Sequence, residues 1–90
     1  SRGVCGAAAR TRQVQLVPDV EAFPGHIACA SSTRSELVLP VFGLAGRLIG
    51  VLDIDSDQPD AFTARDAVEL QRILDDTFAN TAGANTCGHD

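Results

Sequence analysis

Glu36-Leu37-Val38-Leu39-Pro40-Val41-Phe42, then Gly43-Leu44-Ala45-Gly46, then Arg47-Leu48-Ile49-Gly50-Val51-Leu52-Asp53-Ile54-Asp55 read as one unit. Two apolar runs flank a short turn with glycine at both ends, which predicts an antiparallel hairpin. Pro40 has no backbone N–H, so its position is expected to face a sheet edge or a bulge. Asp53 and Asp55 are two apart and therefore project from one face of their strand. Two carboxylates on one face of an otherwise apolar strand are costly unless something cationic or protonated meets them. The alternative is that they mark the solvated end of the strand.

Downstream of the hairpin the pattern changes period. Thr63 followed three residues later by Asp66 reads as a capping box at a helix start, with Asp in place of the usual Glu or Gln. Ala67, Leu70, Ile73, Leu74 and Phe78 recur at helical spacing, with Glu69, Arg72 and Asp76 off that stripe, so the helix is expected to lay this stripe on the sheet. Residues 81–90 close the chain as a polar tail in which Cys87-Gly88-His89 offers two weak metal ligands.

Upstream, Arg2–Arg10 reads as a short helix with Ala7-Ala8-Ala9 at its centre. Cys5 would lie in its first turn. There it is either a thiolate favoured by the helix dipole or a small thiol packed beneath the helix. Thr11–Val17 alternates through Gln13-Val14-Gln15-Leu16 and predicts a short, half-buried strand ended by Pro18-Asp19. Val20–Gly25 reads as a connecting loop.

Between these elements lies Pro24-Gly25-His26-Ile27-Ala28-Cys29-Ala30-Ser31-Ser32-Thr33-Arg34-Ser35-Glu36. Its second half is polar and loop-like, and loops on a rigid scaffold are where reactive residues concentrate. Cys29 is therefore read as a nucleophile. A thiol with an ordinary pKa is only about 3% ionised at pH 7, so it needs help. His26 could lend charge, or serve a turn contact or face solvent.

Composition bounds the function. The 90 residues make at most one small domain, with 44% hydrophobic residues but 4% aromatic ones, so the core is aliphatic. A net charge of −5 argues against a nucleic-acid footprint, which needs clustered Lys and Arg. No apolar run is long enough to span a membrane, and Ser1–Arg12 lacks the apolar segment of a signal peptide. The 3 cysteines are too few for a secreted disulfide scaffold, which points to a reducing, cytoplasmic setting. A zinc site from Cys5, His26 and Cys29 has none of the usual spacings, so neither a metal nor a resident cofactor is expected. The chain opens at Ser1 and contains no methionine, and its first residues read as the interior of a motif, so a truncated domain is expected.

The motifs taken together resemble those of free methionine-(R)-sulfoxide reductases, a family of GAF-domain enzymes. The resemblance rests on Arg2-Gly3-Val4-Cys5-Gly6, Val17-Pro18-Asp19-Val20, Phe23-Pro24-Gly25-His26-Ile27-Ala28-Cys29, Ser35-Glu36 and Gly50-Val51-Leu52-Asp53-Ile54-Asp55. It implies an α+β, GAF-like fold with an antiparallel sheet and packed helices, residues 1–80 forming the C-terminal part of the domain. It further implies that Cys29 attacks the sulfoxide sulfur and becomes a sulfenic acid. A second cysteine condenses with it to a disulfide that thioredoxin reduces, and in this chain that step would have to fall to Cys5. Glu36, Asp53 and Asp55 match the family's pocket carboxylates, which hold the substrate ammonium and help protonate the sulfoxide oxygen. Ala30 stands where the family has Asp, and the family's resolving cysteine lies upstream of the position matched by Cys5. A sheet without its leading strands exposes an edge, which favours pairing with another copy as a homodimer. Two other readings stay open: a GAF module that binds a small ligand without turnover, and a half-domain with no activity.

Overall fold

The hairpin forms with its ends within one residue of the expectation. In the computed structural model, which describes residues 2–22 and 32–83, α1 spans Arg2–Thr11 and β1 Gln15–Val17. They are followed by β2 at Ser35–Phe42, β3 at Leu48–Ser56 and α2 at Ala64–Phe78. The three strands form an antiparallel sheet in the order β1-β2-β3. Cys29, His26, Cys87 and His89 lie outside the described residues.

β2 is the central strand, and its near-continuous apolar run follows from burial on both faces. Val38 packs with Val4 and Ala8 of α1 and with Val17 and Val20. Leu37 and Leu39 face the other way, onto Ala67, Leu70 and Leu74 of α2 with Ile54 and Phe62. The sheet is thus sandwiched between the two helices. Each helix takes alternate side chains of the same strand.

Pro40 sits in this central strand without breaking its ladder. β1 pairs only with Glu36–Val38, so at Pro40 the side of β2 away from Val51 has no strand beside it among the described residues. The Pro40 carbonyl accepts a hydrogen bond from Gln71 Nε2 of α2 at 2.9 Å, and a register irregularity follows at Val41/Phe42.

The turn between β2 and β3 needs its glycines. Ala45 and Gly46 both have positive φ, 60° and 73°, and Gly46 N–H bonds back to Gly43 O at 3.0 Å. At Gly43 a Cβ would run into the Thr81 carbonyl, which accepts from Leu44 N–H at 2.8 Å. The turn therefore holds the chain as it leaves α2.

Two sequence expectations require correction. The strand anticipated over Thr11–Val17 is confined to Gln15–Val17. Helix α1 continues through Thr11, whose hydroxyl bonds Ala7 O at 2.7 Å, and ends at Arg12 with φ 59°. That left-handed residue turns the chain, and Arg12 is held there by a bond to Gly46 O at 2.8 Å and by stacking over Phe42. On α2 the capping box forms as read, with Asp66 N–H donating to Thr63 Oγ1 at 3.1 Å and Thr63 N–H to Asp66 Oδ2 at 2.9 Å. Ile73, however, does not join the buried stripe and is 58% exposed. At about 100° per residue it lies roughly 120° from the line through Ala67, Leu74 and Phe78, and Gln71 takes the sheet-facing position instead. No helix among the described residues is long and apolar enough to cross a membrane.

Candidate functional site

Cross-strand register builds the site. Glu36 stands opposite Asp55, and Val38 opposite Asp53. Opposed residues in an antiparallel pair share a face, so Glu36, Asp53 and Asp55 all project on the α1 side of the sheet. Cys5 comes down on them from α1, its Sγ 3.6 Å from Asp53 Oδ2. Sulfur's larger radius makes that a hydrogen-bonding length for an S–H donor. The Cys5 thiol and one oxygen each of Glu36 and Asp53 lie within 4.8 Å of one another.

The electrostatics are those of crowded, partly dry acids. Glu36 is 0% exposed, and burial first, then its hydrogen bond with Asp53, push its carboxyl up to about 7. Asp55 is raised above the ordinary carboxylate range by burial and by its hydrogen bond with Asp53. A hydrogen bond between two carboxyls needs a proton on one of them. The cluster therefore holds protons near neutral pH and can give one up. It also offers acceptor oxygens to a compact cation such as an ammonium group. The same thiol and carboxylates are donor types that a divalent ion accepts, with no imidazole among them.

Cys5 differs from the thiolate that a helix start would favour. Burial, then the negative charge of Asp53, raise its pKa above the usual thiol value. Of the sequence-predicted site residues, the structure brings together Cys5, Glu36, Asp53 and Asp55, while Cys29 lies outside the described residues.

One supporting residue escaped the chemical reading. Ser35 is buried beside Glu36, donates to Gln58 O at 2.6 Å and accepts from Ala61 N–H at 3.3 Å. It ties the segment after β3 to the strand that carries Glu36. Its sequence signals are a small hydroxyl at the first position of an apolar strand and its place in the Ser35-Glu36 motif.

This arrangement, a three-stranded antiparallel sheet between two helices with acids on one face, is that of an α+β domain. Residues 1–77 match the GAF domain family, and the chain belongs to it. The chain is 52% identical to GAF domain-containing protein A of Dictyostelium discoideum, over 81% of this chain and 46% of that protein. It is 44% identical to the free methionine-R-sulfoxide reductase of Saccharomyces cerevisiae, over 80% of this chain and 40% of that enzyme. A solved structure of the Neisseria meningitidis free methionine-R-sulfoxide reductase, in complex with its substrate, superposes with a TM-score of 0.70 at 47% identity, covering 83% of this chain and 46% of that one. The chain spans about half the length of the curated relatives it matches.

Proposed function

We propose that this chain carries the acid and thiol side of a site that reduces free methionine-(R)-sulfoxide to methionine. The observation that carries the reading is the Glu36, Asp53 and Asp55 cluster beneath Cys5, on the face where α1 meets the sheet. A free amino acid brings a compact ammonium that clustered acids can hold, whereas a methionine within a protein has none. A sulfoxide oxygen needs a proton to leave, and a buried carboxyl raised to about 7 can supply one at neutral pH. Relatives named free methionine-R-sulfoxide reductase support this choice of substrate.

In this reading Cys29 Sγ attacks the sulfoxide sulfur. The S–O bond breaks, the oxygen ends on Cys29 as a sulfenic acid, and methionine leaves reduced by two electrons. The Cys5 thiol then attacks the sulfenic sulfur, releasing water and forming a Cys5–Cys29 disulfide. Thioredoxin, as external reductant, returns both to thiols, and no resident cofactor or metal enters. Residues 1–80 act as the partial GAF domain and 81–90 as a tail, in a reducing, cytoplasmic setting. The outer edge of β3 is unpaired among the described residues, which favours pairing with a second copy.

The test is to incubate the purified chain with dithiothreitol and each epimer of free methionine sulfoxide and to quantify methionine. Dithiothreitol removes the need for a resolving cysteine. Methionine is expected from the R epimer alone. Equal turnover of the S epimer, or full activity in Cys29→Ser, would overturn the reading.

A further inference from the structure

We propose that Cys5 is a positioning residue of this site: its thiol donates to Asp53 Oδ2 and thereby keeps the shared proton on Glu36. The inference rests on the function proposed above and adds a role for Cys5 before any disulfide forms.

Asp53 is the hub of the cluster. Both Glu36 and Asp55 hydrogen-bond to it, and Cys5 Sγ approaches its Oδ2 at 3.6 Å from the opposite element. A donor held against Asp53 favours that residue as the acceptor of the group, so its neighbours reach it as proton donors. The donor is held firmly. Val4, immediately before it on α1, and Ala8, about one turn further on, are fully buried against Val38, so the helix cannot carry the thiol away without opening the core.

The thiol is also kept in its donating form. Among the described residues the acidic groups around it are Glu36 from β2 and Asp53 from β3, with Asp55 next along that strand. Burial and these charges all disfavour the thiolate. A residue whose only task was to attack a sulfenic acid would gain from the opposite environment. This surrounding suits a proton-bearing thiol that orients a carboxyl.

The experiment is a carboxyl carbon NMR titration of the whole chain, comparing wild type with Cys5→Ala and Cys5→Ser. In wild type the Glu36 signal is expected to titrate at about 7. Losing the S–H donor should draw the proton toward Asp53 and lower the Glu36 midpoint by about half a unit to one unit in Cys5→Ala. Cys5→Ser restores an O–H donor, although its oxygen lies closer to Cβ, and should recover at least half of that shift. A midpoint within roughly 0.2 unit of wild type in both variants would overturn the proposal. A measurement that needs no change at Cys5 stands beside it. In a Cys29→Ser, Cys87→Ser background the S–H stretch should lie below that of the same chain unfolded in urea, and an unshifted band is again disproof. Neither readout requires turnover. If wild type yields no methionine while the titration and the S–H band behave as stated, the proposed reaction fails and the role of Cys5 toward Asp53 stands.

Discussion

Glu36 and Asp55 stand directly opposite each other across β2 and β3, the first fully buried and the second exposed. Both carboxyls are raised, and both meet Asp53. A buried acid whose folded pKa is raised binds more protons in the folded than in the unfolded state between the two values. Its contribution to stability is therefore most favourable at low pH and declines as pH rises from about 4.5 to about 7. The effect is on the order of 1 kcal/mol per unit of separation. Urea unfolding midpoints should fall between pH 5 and pH 8, and Glu36→Gln should flatten that slope and raise stability at pH 8. The same variant should lose most of its sulfoxide reduction, because an amide cannot donate a proton as an acid does. An unchanged pH slope in Glu36→Gln would place the titrating group elsewhere.

Ser35 is expected to matter for stability out of proportion to its size. Ser35→Ala leaves Gln58 O and Ala61 N–H without their shared hydroxyl, at a cost of about 1–3 kcal/mol. The Ala61 amide should also exchange faster with solvent, while amides of β2 keep their protection. Exchange that rises equally throughout would mean a global rather than a local loss.

The hairpin was readable from period and glycine placement, because both are local signals. The site was partly readable for the same reason: Asp53 and Asp55 announce a shared face by their spacing. Glu36 joins them only through cross-strand register, which no local pattern fixes. Likewise the contact of Cys5 with Asp53 spans the interval between a helix and a distant strand. Without it the thiol was open to the opposite charge state. The shortened β1 has another cause. Arg12 takes a left-handed conformation stabilised by Phe42 and Gly46, two residues of the hairpin, so tertiary contacts overrode the alternating pattern.

Two glycines of one hairpin should respond to the same substitution with opposite signs. Gly43→Ala drives a methyl into the Thr81 carbonyl, a backbone atom that cannot swing aside, and should destabilise by about 1–3 kcal/mol. Gly50, on β3, has open space where its Cβ would stand. Gly50→Ala should stabilise by about 0.5 kcal/mol by restricting the unfolded chain. Thermal melts of the two variants decide the matter.

On α2 a polar residue should outweigh an apolar one. Gln71→Leu adds hydrophobic surface toward the sheet but leaves the buried Pro40 carbonyl without its donor, for a net loss of about 1–3 kcal/mol. Ile73→Lys, at a position 58% exposed, should change stability by less than about 0.5 kcal/mol. The reverse order would mean that the expected stripe through Ile73 is buried in solution after all, as it would be against a second copy. Sedimentation of Ile73→Lys beside wild type separates that case.

The choice of a free amino acid as substrate follows from charge, and charge can be removed from either side. Asp53→Asn and Asp55→Asn keep size and hydrogen-bonding capacity while deleting a negative charge from the face that would meet the ammonium. If the acids hold that group, each variant should raise KM for methionine-(R)-sulfoxide about 10- to 100-fold, the scale of one charge-assisted hydrogen bond. The deamino analogue of methionine sulfoxide should be a poor substrate for wild type by a similar factor. It should also lose little more in Asp55→Asn, because the partner charge is already absent. A double comparison of this kind isolates the pairing from general damage to the site. Should the analogue be reduced as fast as the amino acid, the acids serve proton transfer alone, and selectivity for the free substrate must come from elsewhere in the domain.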